Sequence, residues 1–288
     1  MNQNNPRLGI LLMIATTFIF ALQDGLSRYL AGEYNTIMII MLRYWFFAAF
    51  VITLSTMRKG GIRRVARTQQ PMLQILRGVL LVGEICVAVV AFVKLGLVES
   101  HAILTSYPLL VAALSGPILG ERVGWRRWVA IGIGFIGVLV ILRPGIAVFS
   151  PVAFIPLVAS LMFAVYGLLT RYVARKDSAE TSFFWTGIAG AVAITIIGPF
   201  FWQPIIGTDW WIMGILCITS TGGHYLLIKA YAIAEASTVQ PFAYFQLVFA
   251  AIIGLTIFRE HLDPWIALGA GIVVSSGLFT LWRARRAA

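Results

Sequence analysis

The chain has 288 residues, of which 60% are hydrophobic and 11% charged, and its net charge is +11. Soluble domains carry about 45–50% apolar and ~25% charged residues, so this chain has too little interior to hide its apolar surface and too few charges to wet its outside. A soluble enzyme, a disordered chain and a disulfide scaffold are excluded, and lipid remains as the solvent.

The basic excess suits cytoplasmic loops of a membrane protein better than nucleic-acid binding. Cys86 and Cys217 both lie in apolar runs, no CxxC occurs, and the three histidines are scattered. No disulfide framework, metal site or cofactor is expected. The apolar run after Arg7 is too long for a signal-peptide core.

A helix crossing ~30 Å of hydrocarbon needs about 20 apolar residues. In chain order the runs that qualify are 8–30, 36–57, 72–93, 100–119, 125–143, 152–173, 181–201, 210–231, 238–258 and 264–283. Breakers such as Gly60-Gly61, Pro71, Gly120, Pro144-Gly145, Pro151, Gly207 and Pro264 separate them. The runs are continuously apolar rather than alternating, which excludes a β-barrel. Basic residues gather at one set of ends: Arg7, the stretch from Arg58 to Arg67, Arg122 to Arg127, Arg171 to Lys176, Lys229 and Arg283 to Arg286. The opposite ends hold only Arg28, Lys94, Arg143 and Arg259. This asymmetry places both termini in the cytoplasm of a multi-pass cell inner-membrane protein.

A register shift of 139 lays Ala91-Phe92 on Ala230-Tyr231, Val111-Ala112 on Ala250-Ala251, Glu121 on Glu260 and Gly132-Ile133 on Gly271-Ile272. A shift of 143 lays Ser27-Arg28-Tyr29 on Thr170-Arg171-Tyr172. Each half holds five spans, and an odd number makes the second half enter from the opposite face. The expected fold is an all-α integral membrane protein of ten transmembrane helices, arranged as two inverted five-helix repeats, 1–145 and 146–288. Inverted repeats serve transporters that open one midplane site alternately to each face.

Two five-span halves, each closing with an apolar helix, a Gly-Glu-Arg or Arg-Glu-His turn and a Gly-rich last helix, resemble the EamA repeats of the drug/metabolite transporter superfamily. Ala91 to Gly137 and Ala230 to Gly277 carry the resemblance. The chain looks most like the bacterial inner-membrane exporters of aromatic and other neutral amino acids in that superfamily. The resemblance implies ten helices, export of small metabolites and a central cavity lined mainly by the first four helices of each repeat.

Ionisable residues inside a bilayer are costly and usually face a cavity or a partner. Asp24, Arg43, Glu84 and His224 are the candidates, with Arg77 nearer the cytoplasmic end. Asp24 and Arg43 either pair to fix the first hairpin or meet the two charges of a zwitterion. Glu84 has no cation one turn away; a weak pair with Arg77, a coupling proton or a substrate cation would each satisfy it. His224 is either a hydrogen-bonded packing residue or a lining group. The repeat further pairs Tyr107 with Gln246, Asp24 with Tyr166 and Arg43 with Trp185. Together with Tyr244, these complete the candidate lining, in which aromatic faces suit an apolar group or an ammonium.

Pro108 and Pro241 either kink their spans or free a carbonyl for substrate. Glu121 and Glu260, at equivalent turns, are expected to cap the helices that follow them. Gly132 to Gly137 spells GxGxxG but sits mid-span, so it reads as small residues for helix packing, as do Gly269 and Gly271.

HExxH and GxSxG are absent and no acid pair has hydrolase spacing, so an enzyme is not expected. The sequence reads as a secondary carrier, sufficient as a monomer, that exports aromatic and other neutral amino acids, with protons open as the coupling ion. The rivals are export of cationic drugs, import of sugar- or nucleotide-type metabolites, and a lipid flippase or channel.

Overall fold

A computed structural model describes residues 5–58, 60–120, 124–142, 151–234, 239 and 242–287. It is all-α, 86% helical, with no strand among the described residues. Among the described residues, seven helical stretches, with Leu97–Leu119 counted as one, are long and apolar enough to cross a membrane. Three shorter apolar helices, Trp128–Leu142, Phe245–Thr256 and Pro264–Phe279, fall on the fifth, ninth and tenth expected spans.

Helix α1 (Pro6–Glu33) starts with proline at its first turn and is capped by Asn5, whose side chain accepts from the Leu8 amide. Proline there removes a donor that would have no helical partner, and the Asx cap satisfies another. Helix α2 (Thr36–Thr56) is capped by Asn35 in the same way, which makes α1 and α2 a tight hairpin. The short α3 (Gly61–Ala66) leads to α4 (Pro71–Leu95). The fourth expected span is two helices, α5 (Leu97–Leu104) and α6 (Tyr107–Leu119). Pro108 explains the break: its ring has no N–H to donate to the carbonyl of Leu104. Helix α7 (Trp125–Leu142) closes the first half. In the second half come α8 (Phe154–Val173), α9 (Ala179–Ile197), α10 (Asp209–Ile233), α11 (Phe245–Thr256) and α12 (Pro264–Ala287).

The most extensive packing joins α7 to α12 and α1 to α10, followed by α4 with α8, α2 with α9, α4 with α9 and α1 with α11. The main core holds Met13, Phe20, Met41, Phe47, Leu81, Phe92, Tyr166 and Leu216. A second, with Val98, Leu109, Val138, Ile141, Tyr244 and Val273, lies under α5, α7 and α12. The outside is also apolar: Phe18, Val192, Ile196, Ile218 and Trp211 are all more than half exposed. Helices apolar on both faces belong in lipid.

Each end of the bundle is tied by polar contacts. At the end holding Asn5, its amide donates to the Ile233 carbonyl at 3.0 Å and Arg175 donates to the Leu119 carbonyl at 2.9 Å. There too, Asp177 accepts from Thr68, from the Gln69 amide at 3.1 Å and from Gln74 at 2.9 Å. At the opposite end the Tyr34 hydroxyl donates to Asp209 at 2.8 Å, and the Asn35 amide donates to Gln203 at 2.9 Å.

The glycines of the GxGxxG stretch divide by environment. A Cβ on Gly134 would lie 2.2 Å from Leu109, and one on Gly137 2.8 Å from the Gly269 carbonyl. Gly132 and Gly271 face open space, so packing does not explain those two. The α7–α12 contact therefore depends on Gly137 and Gly269. Gly137→Leu is expected to destabilise the protein by about 1–3 kcal/mol through overpacking, read as a lower melting temperature in detergent, whereas Gly132→Leu leaves melting unchanged.

Candidate functional site

Between the two tied ends lies a cavity of about 60 Å³. Phe20, Gln23 and Asp24 of α1, Arg43 of α2 and Glu84, Ala88 and Phe92 of α4 line one side. His101, Thr105 and Tyr107 from the α5–α6 break, Phe163 of α8, His224 of α10 and Gln246 of α11 complete it. Of the residues expected from the sequence, Asp24, Arg43, Glu84, Tyr107, His224 and Gln246 thus come together. Tyr166, Trp185 and Tyr244 do not line this cavity. Sites for drug-sized ligands have volumes of about 300–1,000 Å³, so admitting even a small metabolite requires these walls to move apart.

Arg43 is the most fully coordinated group of the site. Its guanidinium donates to Ser220 at 2.8 and 3.3 Å, to Ser27 at 3.1 Å and to Gln23 at 3.3 Å. Of the two roles weighed for Asp24 and Arg43, the direct pair does not form. Gln23 and Ser27 are one turn apart and share the α1 face toward α2, while successive residues turn by about 100°. Asp24 is therefore rotated away. Its Oδ2 sits 3.2 Å from His101 Nε2 and accepts from Gln246 Nε2 at 3.0 Å. The carboxylate ties α1 to α5 and α11, and the His101 ring stacks on Phe92 with centroids 5.1 Å apart.

Glu84 is buried and has no hydrogen-bond or ion-pair partner among the described residues. Arg77 does not reach it. That guanidinium is wholly buried and donates to Gln74 at 2.9 and 3.3 Å, to Thr170 at 3.2 Å, to Tyr166 at 3.4 Å and to the Ser182 carbonyl. Tyr166 is thus committed to Arg77, whose guanidinium carbon lies 5.4 Å from its ring centroid. Trp185 donates its indole N–H to the Ala66 carbonyl at 3.0 Å. Tyr244 packs in the second core, where a Cβ on Gly277 would collide with its hydroxyl. Both ring nitrogens of His224 are buried without a partner among the described residues, and its ring sits 5.0 Å from Phe20 and 6.4 Å from Phe47. The hydrogen-bonded packing role weighed for His224 is not what the structure shows.

Sequence reasoning passed over Gln23, His101, Phe92 and Phe163. The signal for His101 was available: an ionisable ring inside an apolar run is as costly there as at His224. The aromatic residues carry no such signal, because the chain is rich in them throughout. Glu260 also departs from expectation. It caps α5, across the fold, rather than the helix that follows it, and Glu121 lies outside the described residues.

Residues 7–143 and 150–282 match the EamA-like transporter family. The chain belongs to that family, within the drug/metabolite transporter superfamily. Members are transporters, not enzymes. The S-adenosylmethionine uptake transporter of Rickettsia prowazekii (strain Madrid E) is 24% identical over 281 residues, covering 96% of this chain and 94% of the relative. The riboflavin transporter of Vibrio cholerae serotype O1 (strain ATCC 39315 / El Tor Inaba N16961) is 29% identical over 294 residues, covering 99% and 96%. The pseudopaline exporter CntI of Pseudomonas aeruginosa (strain UCBPP-PA14) is 23% identical, covering 96% and 97%. A solved crystal structure superposes with a TM-score of 0.69 at 18% identity over 99% of each chain, a likeness of fold. The chain is accordingly a multi-pass membrane transporter of a small molecule. None of these three relatives is named for amino acid export.

The Asp24–His101 contact holds α5 against α1 from inside the cavity. Asp24→Asn and His101→Asn are each expected to lower stability by about 1–3 kcal/mol. The double variant should cost less than the sum of the two, because the same pair is lost. Melting in detergent measures all three; strict additivity would show that the two side chains act independently.

Proposed function

We propose that this transporter is an alternating-access carrier of the cell inner membrane for a small zwitterion that bears a flat ring. The observation that carries this reading is the composition of the cavity. Two carboxylates, Asp24 and Glu84, and one guanidinium, Arg43, stand among the rings of Phe20, Phe92, Tyr107 and Phe163. An ammonium fits an unpartnered carboxylate and aromatic faces. A flat ring fits between Phe and Tyr. A substrate carboxylate fits Arg43, whose acceptors in the resting site are all neutral and exchangeable. A phosphorylated substrate fits poorly, since phosphate recruits several cations.

Aromatic amino acids, the substrates expected from the sequence, have this pattern. So does S-adenosylmethionine, for which one relative is named, with an adenine ring, an amino acid end and a further cation that would meet Glu84. The proposal includes outward net transport, the sense in which the pseudopaline relative is named. Glu84, facing Asp24, Arg43, His101 and His224 across the cavity, is the group available to carry a coupling proton.

The architecture proposed is two inverted five-helix repeats, 1–145 and 146–288, with both termini cytoplasmic and one monomer sufficient. Several observations support it. The two family matches follow one another along the chain. Under the repeat, α1 corresponds to α8 and α4 to α10, so the α1–α10 packing becomes the α8–α4 packing. The α7–α12 and α2–α9 pairs map onto themselves, as pairs across a two-fold axis must.

Counterflow of labelled substrate in proteoliposomes tests the reading. Saturable counterflow of phenylalanine or S-adenosylmethionine is expected, and loss of the Glu84 charge in Glu84→Gln should weaken it by about tenfold or more. Counterflow of riboflavin alone would reassign the cavity to uncharged flat rings. Non-saturable flux would indicate a channel, and phospholipid scrambling a flippase.

A further inference from the structure

A polar cluster outside the cavity lies at the bundle end opposite Asn5, around Glu260. Its carboxylate accepts from the Leu97 amide at 2.8 Å and from the Val98 amide at 2.7 Å, the first two residues of α5. It also pairs with Arg28 of α1. The Arg28 guanidinium stacks over the Phe258 ring with its carbon 4.1 Å from the centroid. One carboxylate thus joins α1, the α4–α5 turn and the turn after α11, while both partners stay largely covered, with side-chain exposures of 20% and 13%.

The surroundings are shaped to hold it. Gly96 has φ 86°, a left-handed conformation that favours glycine, and a Cβ there would lie 2.9 Å from Glu260 Oε1. A Cβ on Gly254 would lie 2.9 Å from Oε2. The two amides end on a helix N-terminus, where a carboxylate is favoured.

Helix α5 is the element this clasp restrains. It is eight residues long and separated from α6 by the Thr105-Ser106 turn. Its first turn is held by Glu260, and its later residues His101 and Leu104, followed by Thr105, line the cavity. The same short rod therefore touches the clasp at one end and the cavity at the other. We propose that Glu260 and Arg28 are positioning residues for transport: they hold α5 shut over the outer side of the cavity, and their release swings α5 to admit or discharge substrate there. The Asp24–His101 contact is the link by which cavity occupancy reaches the clasp. A substrate cation that competes for Asp24 frees His101, and with it the cavity end of α5.

This inference rests on the carrier reading and on the proposed orientation, which puts this end outside the cell. The test separates the two. In full-length protein carrying Cys86→Ala and Cys217→Ala, Ala88→Cys supplies a single thiol in the cavity wall. A membrane-impermeant thiol reagent is applied to right-side-out and to inside-out vesicles, with no substrate present. Glu260→Gln keeps one acceptor oxygen but loses the ion pair and one amide bond. It should raise labelling from the outer face by about tenfold, the population shift expected from losing one charge-assisted interaction. Arg28→Ala should do so less, since both amide contacts survive. Asp177→Asn, which loosens the opposite end, should leave outer labelling unchanged. Equal labelling of parent and Glu260→Gln from outside, or an equal rise from both faces, overturns the proposal.

A second measurement locks the same contact instead of loosening it. Val98→Cys with Gly254→Cys places two thiols where Val98 Cγ2 now lies 2.9 Å from the position of a Cβ on Gly254. Such proximity suits a disulfide between α5 and α11. Oxidation should stop counterflow and reductant should restore it, with each single variant unaffected by either. Counterflow that persists in the cross-linked protein overturns the gating role. Absence of counterflow in the unmodified parent overturns the carrier reading instead, while the labelling result still decides whether the clasp controls access.

Discussion

A guanidinium or carboxylate inside an apolar bundle must find polar partners, because water is not there to serve it. That requirement organises the molecule. Arg43 draws Ser27 and Gln23 of α1 and Ser220 of α10 onto one point, and so binds the first hairpin to the second half of the chain. Arg77 does the same between α4, α8 and the start of α9. Asp24 joins α1 to α5 and α11. In each case one charge and its partners join three helices, and the helix packing follows these contacts.

Burying such groups stabilises little in net terms, since desolvation offsets most of the attraction. What they contribute here is specificity of arrangement. Apolar faces of helices slide past one another at small cost in lipid, where no hydrophobic force separates one register from another. A directional hydrogen bond does not slide. The glycine contacts supply the complement: Gly137 against Gly269 and Gly190 against the Tyr44 ring permit approaches that any Cβ would block.

The same logic distinguishes structure from function within one set of buried polar residues. Arg77 is saturated and surrounded by Gln74, Thr170, Tyr166 and Ser182, which leaves it nothing to offer a substrate. His224 is buried beside the cavity with both ring nitrogens unpartnered among the described residues, and Glu84 lines the same cavity. An unsatisfied buried group is unstable on its own account. A ligand that supplied the missing partner would stabilise it, which is why the proposed site is placed here. The end contacts differ again, being built from a few polar and charged groups rather than from an extensive apolar face.

The amino-acid sequence by itself determined the solvent, the helical class and the approximate place of each apolar segment, because hydrophobic length and breakers are local properties. It also singled out the costly residues, since an ionisable group in an apolar run is visible without any fold. Only the tertiary structure decided their partners. Asp24 meets His101 rather than Arg43 because one residue of helical rotation separates Gln23 from Asp24, and no pattern along the chain states which neighbour each face will find. Tyr166 and Trp185, which a register shift along the sequence lays on Asp24 and Arg43, are drawn away by Arg77 and by the Ala66 carbonyl. Glu260 reaches α5, 163 positions distant, for the same reason: hydrogen bonds form in space, and sequence separation does not enter their energy.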